Sequence, residues 1–191
     1  MGRGKEAMTN ERLTPAQQMK EAWLVWIFSL LIWVSIKQGQ LDLTKLPKEW
    51  TIMSEAGQMQ FRTKIPSDQM EKIAYNMLIS ATGTCTIAFD SAMDEALGKK
   101  AEQFPEDTTG LTAARAVIYQ IRNAYAHDPI HSTWRIRNPL YKKTFDISEI
   151  GLTVNLADLD GKAFMVGHIG GWHILGRLLN YCMKNIGKAG Q

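Results

Sequence analysis

The feature that most constrains the fold is an uncharged apolar run near the start of the chain. Residues 22–36 read AWLVWIFSLLIWVSI, which places apolar side chains almost all round a helix rather than on one stripe. The run has about 15 residues, fewer than the roughly 20 that span a bilayer, and Lys20, Glu21 and Lys37 close it. The sequence therefore favours a core or dimer helix, covered on more than one side, over a membrane span.

The same helix predicts association. Thr14, Pro15 and Gln17 form a start signal with a capping box, and Gly39 stops the helix after about residue 38. The helix carries three tryptophans on its apolar face: Trp23, Trp26 and Trp33. Because tryptophan is enriched at interface centres, we expect a homodimer; burial of this Trp-rich face inside the chain is the open alternative.

Composition bounds the remaining possibilities. The 191 residues are 45% hydrophobic and 21% charged, with a net charge of +3, which is typical of one globular domain and permits an anionic partner without requiring one. Cys85 and Cys182 sit in apolar helical patterns, and no secretory signal is evident, so we expect reduced cysteines in a cytoplasmic protein. His168 and His173 lack metal-type partners, and neither a metal nor a cofactor is expected.

The rest of the pattern predicts a mainly α fold, a helical bundle with a small antiparallel β appendage. We expect a flexible N-terminus (1–13), a helical domain (14–134) with a hairpin near 50–65, and a C-terminal meander and helix (135–191) packed on that domain. Alternation predicts strands at 134–137, 144–147 and 152–156, and the last helix spans about 169–186. Asp90 and Asp94, one turn apart on a long second helix bent near Gly83, are typical of a solvated face.

The second informative stretch is Leu111 to Trp134, which reads LTAARAVIYQIRNAYAHDPIHSTW. Its first half has apolar residues at helical spacing, and Pro129 is not tolerated inside a helix, so we expect a helix that ends near His127. The last turn then carries Arg122, Asn123 and His127. A permanent cation, an amide and a titratable imidazole are thus placed at one helix end.

This stretch resembles the R-x-x-x-x-H motif of the HEPN superfamily, all-helical domains that include many metal-independent ribonucleases. Arg122 and His127 match the two defining positions, and Asn123 matches the polar residue that commonly follows the arginine. The motif closes a helix that follows a long one, as the family arrangement requires. The resemblance covers roughly residues 14–134, and it implies that the motifs of two protomers meet at a dimer cleft.

Metal-independent RNA cleavage needs a group that takes the 2′-OH proton, a group that protonates the leaving oxygen, and a fixed cation. Histidine titrates near neutral pH, and arginine stays charged and offers a planar fork to phosphate. We therefore expect His127 to transfer protons, Arg122 to stabilise transition-state charge and Asn123 to orient. The alternative is structural, because an arginine near a helix C-terminus and a histidine before Asp-Pro also stabilise a helix end.

Further basic and aromatic residues around the motif suit phosphates and stacked bases of single-stranded RNA. Arg115 lies two turns before Arg122 on the same face and would widen a cationic surface. For the segment after Pro129, the alternative is an edge strand with one solvated face. The candidate substrate-binding residues are Arg115, Tyr125, His131, Trp134, Arg135 and Arg137.

One position departs from the family. HEPN toxins regulated by a nucleotidyltransferase carry a Tyr two residues after the motif His, where this chain has Pro129, so that regulation is not expected. The resemblance implies an endoribonuclease of the toxin or phage-defence kind, with RNA as substrate and an antitoxin or regulatory protein as a candidate partner. The alternative function is a catalytically inactive HEPN-like module that binds RNA or a protein, and membrane association is a third, weaker interpretation.

Overall fold

The computed structural model describes residues 12–46, 49–54, 57–62, 66–98, 108–126 and 128–189. Its helices are α1 (Pro15–Lys37), α2 (Met70–Leu97), α3 (Gly110–Tyr125) and α4 (Trp172–Ala189). Its strands are β1 (Glu49–Ser54), β2 (Gly57–Arg62), β3 (Thr144–Ile147) and β4 (Leu152–Asn155). Each strand pair forms an antiparallel hairpin, β1 with β2 and β3 with β4. The predicted fold class, mainly α with a small antiparallel β part, is confirmed.

Local signals set the helix ends where the sequence predicted them. The Thr14 hydroxyl accepts a hydrogen bond from the Gln17 backbone N–H, and the Gln17 side chain accepts one from the Thr14 N–H at 2.8 Å. Together they satisfy two of the amides that a helix start leaves without partners. Gly98 ends α2 in the left-handed conformation, which a glycine adopts without steric cost.

The tryptophans of α1 pack against the core of their own chain, which is the alternative left open above, and the homodimer stays a prediction. Trp26 is buried, and its indole N–H donates to the Thr82 hydroxyl of α2 at 3.2 Å. Trp33 packs against Tyr75 of α2 and Trp172 of α4. Both rings find apolar partners within their own chain, and Trp26 also finds a hydrogen-bond acceptor there.

The opposite side of α1 remains exposed. By length and composition, α1 is the single described helix that could cross a membrane. Only 17% of its apolar window is buried, although Met19 and Trp26 on its inner side belong to the core. The predicted apolar character on all sides of this helix is therefore real, and the fold covers one of those sides.

Helices α2 and α3 run antiparallel and are joined by two acid–arginine pairs. Arg115 forms an ion pair with Asp94, and the Arg122 Nε lies 3.7 Å from the Asp90 Oδ2. The predicted solvated face for the two aspartates is wrong, because each one meets an arginine of the next helix. The predicted position of Arg115 on an exposed cationic surface is also wrong: its side chain is 1% exposed.

The C-terminal third completes the same hydrophobic core rather than forming a separate one. Residues 134–137 are extended but form no regular strand; their neighbour Thr133 makes a single bridge with Ala163. The predicted strand there is wrong, because alternating burial occurs without a paired ladder. The buried residues of this part lie in one cluster with those of α1, α2 and α3: Trp134, Ile136, Tyr141, Phe145, Ile147, Leu175, Leu178 and Leu179.

Candidate functional site

The chain reverses direction after α3 and returns along the end of that helix. Asp128 accepts hydrogen bonds from the backbone N–H groups of Ile130 and His131, at 3.0 and 2.8 Å, which closes a tight turn. The bond from the His131 N–H is the main reason that the pKa of Asp128 lies below its ordinary value. The Thr133 N–H then donates to the Ala124 carbonyl, one of the carbonyls left open at the helix end.

Alternating burial along the returning segment, residues 134–137, turns two arginines outward. Trp134 and Ile136 are fully buried, and Arg135 and Arg137 between and after them are exposed. In an extended chain, neighbouring side chains point to opposite sides, so burial of the two apolar residues fixes the direction of the two cations. Their guanidinium groups form no hydrogen bond or ion pair with any residue that the structure describes.

The outward arginines and the end of α3 line one pocket of about 430 Å³. Three arginines contribute to it, Arg122 from the helix and Arg135 and Arg137 from the returning segment. No carboxylate is among the lining residues, so the pocket is strongly cationic. The full lining is Tyr119, Gln120, Arg122, Asn123, Ala126, Arg135, Arg137 and Asn138.

Arg122 is held in place by neighbours on two sides. Its Nη1 donates to the Asn123 Oδ1 at 2.9 Å, and its Nε faces the mostly buried Asp90. The Arg122 side chain nevertheless remains 39% exposed and lines the pocket. An arginine fixed in this way offers its remaining N–H donors to an anion without first losing conformational freedom. Asn123 therefore orients Arg122 in this structure.

Sequence reasoning missed three lining residues, Tyr119, Gln120 and Asn138. Gln120 is 2% exposed, and its Oε1 accepts no hydrogen bond from any described residue. Asn138 uses its Oδ1 to cap the backbone N–H of Leu140, at 3.0 Å. The available signal was spacing, because Tyr119 and Asn123 lie one turn apart on the face that carries Arg122. The wall thus adds amide groups to the cations.

Several predicted substrate-binding residues lie elsewhere. Tyr125 and Trp134 are buried and both pack against Phe164, with ring centroids 5.1 and 5.0 Å away, so neither ring can stack on a base. Burial also raises the pKa of Tyr125 above its ordinary value. His131 is exposed and contacts Asp128, outside the pocket lining. His127 lies outside the described residues; Ala126, which precedes it, lines the pocket.

The arrangement is suited to binding a phosphate chain. Guanidinium groups can give bidentate, charge-assisted hydrogen bonds to phosphate oxygens, and the half-buried Tyr119 and several amides suit a neighbouring sugar or base. Within the described residues, no three of the side chains that commonly bind metals come together. The chain matches no protein-family model, and neither a curated protein nor a solved structure is significantly similar to it.

Proposed function

We propose that this chain is a HEPN-type, metal-independent endoribonuclease that acts in the cytoplasm in a toxin-like or phage-defence role, as a homodimer in which the Arg122 and His127 motifs of two protomers meet at a cleft. The observation that carries the proposal is the pocket that joins Arg122 and Asn123 of the motif to Arg135 and Arg137. The pocket includes Ala126, so its arginines would bind phosphates next to the end of α3, just before His127. The motif resemblance supplies the reaction, and the cationic wall supports an anionic polymer as substrate.

The proposed reaction is an internal transfer of the phosphoryl group. The 2′-oxygen attacks the adjacent phosphorus, the bond from phosphorus to the 5′-oxygen breaks, and a cyclic phosphate and a 5′-hydroxyl result. His127 transfers protons, and Arg122 stabilises the charge that builds on the phosphoryl oxygens. Arg135 and Arg137 hold neighbouring phosphates, so that the reacting bond is positioned before the chemistry begins.

The experiment is cleavage of labelled total RNA in EDTA by the purified wild type, Arg122→Ala and His127→Ala. Wild-type cleavage with loss of at least 100-fold in both variants is expected, because each removes a group required in the transition state. Arg177→Ala is the matched control, since this exposed arginine of α4 lies outside the pocket lining. Equal cleavage by wild type and His127→Ala would assign the activity to a contaminant.

The second candidate function is binding of RNA without cleavage. The observation that favours it is the pair of exposed arginines, Arg135 and Arg137, which bind phosphate whether or not His127 is reactive. Inert wild-type protein that still binds single-stranded RNA, with affinity lost in an Arg135→Ala/Arg137→Ala variant, would select this candidate. Protein that neither cuts nor binds RNA would remove both and leave a protein partner as the remaining interpretation.

A further inference from the structure

The outer side of α1 exposes large apolar side chains over about two helical turns. Leu24, Phe28 and Leu31 lie at helical spacing on one side of the helix and are 44%, 64% and 56% exposed. Val25, beside them, is 58% exposed. Between Glu21 and Lys37 the helix has no charged residue. We call this set of four residues the α1 ridge.

A groove lies directly beside the α1 ridge, where α1 meets α2. It has a volume of about 360 Å³, and its wall on the α1 side is formed by Leu13, Gln18, Glu21, Ala22 and Val25. The α2 side is built from small residues, Ala81, Thr84 and Ala88, with buried Cys85 between them. Beyond the groove, Met77 and Ile87 of α2 are exposed. They lie seven residues before and three residues after Thr84, on the same side of the helix. A ridge of large residues and a groove of small ones therefore share one face.

We infer that this face is the interface between two copies of the chain. A two-fold axis brings the same surface of both copies together, so a self-complementary face needs a projection and a recess side by side. The α1 ridge supplies the projection and the groove supplies the recess. In the dimer, Phe28 of each copy fills the groove between α1 and α2 of the other.

The exposed area matches what a stable dimer requires. A large apolar side chain exposes about 150–200 Å² when free, so the α1 ridge together with Met77 and Ile87 exposes on the order of 500 Å². A standard interface buries about 800 Å² on each partner, and about 65% of a homodimer interface is apolar, which is again about 500 Å². One copy thus presents the apolar area that one side of such an interface needs.

A second copy fits this face better than lipid does. The inner side of α1 belongs to the core through Met19 and Trp26, so α1 could not enter a bilayer without leaving that core. The face also includes the exposed Ser80 hydroxyl of α2, and Gln18 and Glu21 line the groove. These polar groups lose water on entering hydrocarbon without gaining hydrogen-bond partners, whereas a protein partner offers such partners.

The inferred interface borders the candidate site. Ile87 lies one turn before Asp90, the residue that faces Arg122. Pairing through the ridge and the groove would therefore bring the two cationic pockets toward a common edge. A cleft shared by the two pockets rests on the proposed function, in which the motifs of two protomers meet. The interface itself does not require ribonuclease activity.

The test is the mass of the full chain in solution, measured by light scattering and sedimentation from low to high micromolar concentration. Wild type is expected to be a dimer. Phe28→Asp and Ile87→Asp should weaken the dimer by on the order of 100-fold or more, because each places two unpaired charges within the interface. Phe28→Leu should keep the dimer. Leu140→Asp, at an apolar position that is 50% exposed and outside this face, is the matched control.

Each outcome decides the inference. Circular dichroism and melting of the Asp variants should match wild type, because the substituted side chains are exposed in the single copy. A monomeric wild type would overturn the inferred interface, and so would Asp variants that remain dimeric. A monomer that floats with neutral phosphatidylcholine vesicles would also overturn it. A dimer that cuts no RNA would leave the interface standing and remove the ribonuclease. Monomeric variants that cut normally would remove only the shared cleft.

Discussion

Arg115 and Arg122 differ in exposure, although the sequence predicted that both contribute to one cationic surface. Arg115 and Arg122 are seven residues apart and share one side of α3, as the sequence indicated. A helical wheel gives the direction of a side chain but not how deeply the side chain is buried. The first half of α3 faces Asp94 of α2, which buries Arg115, whereas the last turn of α3 lines the pocket and leaves Arg122 exposed to it. The sequence suggested Arg135 and Arg137 as basic residues interleaved with aromatics; in the structure they point outward because Trp134 and Ile136 are buried.

The exposed pair gives a prediction about salt dependence. Arg135→Ala and Arg137→Ala should each weaken binding of single-stranded RNA and lower the slope of log K against log salt by about 0.7, because each removes one phosphate contact. The measurement is fluorescence anisotropy of a labelled oligonucleotide between about 50 and 200 mM salt. Arg177→Ala should leave the slope unchanged. Equal slopes for all four proteins would show that the pocket does not bind phosphates.

His168 gives a prediction about pH. Its Nδ1 accepts hydrogen bonds from the Trp134 indole N–H at 3.0 Å and from the Met165 N–H at 3.3 Å. Burial, helped by the charge of Lys162, lowers the pKa of His168 from 6.5. His168 is therefore protonated more easily in the unfolded chain than in the folded one. The stability that neutral His168 contributes is present above pH 6.5 and is lost as the pH falls from 6.5 through the lower pKa of the folded state.

Denaturant unfolding at pH 7.5, 6.0 and 5.0 measures this effect. The free energy of unfolding of the wild type should fall toward pH 5 more steeply than that of His168→Asn, whose side chain accepts hydrogen bonds but does not titrate. His173→Gln, at an exposed position, should follow the wild type. A wild type and His168→Asn with parallel pH profiles would contradict the assignment.

The elements themselves were mostly predictable, and the exceptions have a common cause. Capping residues, glycine stops and periodicity identified α1, α2, α3, α4 and both hairpins, because those signals act within a few residues. The extended segment 134–137 has the alternation of a strand, but its backbone bonds to Lys162, Gly161 and the Asp160 side chain rather than to a ladder. Such contacts depend on residues more than twenty positions away, which periodicity does not reveal.

Gly83 shows how closely α2 and α3 pack. A Cβ atom at Gly83 would lie 3.0–3.1 Å from three atoms of Tyr125, whose ring is buried and cannot move aside. Gly83→Ala should lower the free energy of unfolding by about 1–3 kcal/mol, since this overlap outweighs the roughly 1 kcal/mol that alanine gains in helix propensity. Thermal and denaturant unfolding measure the change.

Gly176 of α4 is the matched position. A Cβ there would lie 3.4 and 3.7 Å from the Trp26 ring, which is ordinary contact. Gly176→Ala should therefore be neutral or stabilise by up to about 1 kcal/mol. Equal effects of the two substitutions would show that the approach of Tyr125 does not constrain Gly83.

At the scale of the whole molecule, one core joins the helical part to the C-terminal part. Helix α4 contacts α1, α2 and α3, and its Leu178 is fully buried in the cluster that also holds Leu78 of α2. The sequence predicted that residues 135–191 pack on the helical domain, because the last helix has an apolar stripe too wide to remain in water. It could not indicate which helices the stripe meets.

A shared core predicts one cooperative unfolding transition for the full chain. Leu178→Ala should lower the free energy of unfolding by about 2–5 kcal/mol, since it leaves a cavity at the junction of the two parts. Far-UV circular dichroism, which follows the helices, and near-UV signals of the buried tryptophans should shift together. Leu140→Ala, at a half-exposed position, should shift neither. Two separate transitions, with only one moved by Leu178→Ala, would show that the C-terminal part folds independently and that its arginines reach the pocket by docking.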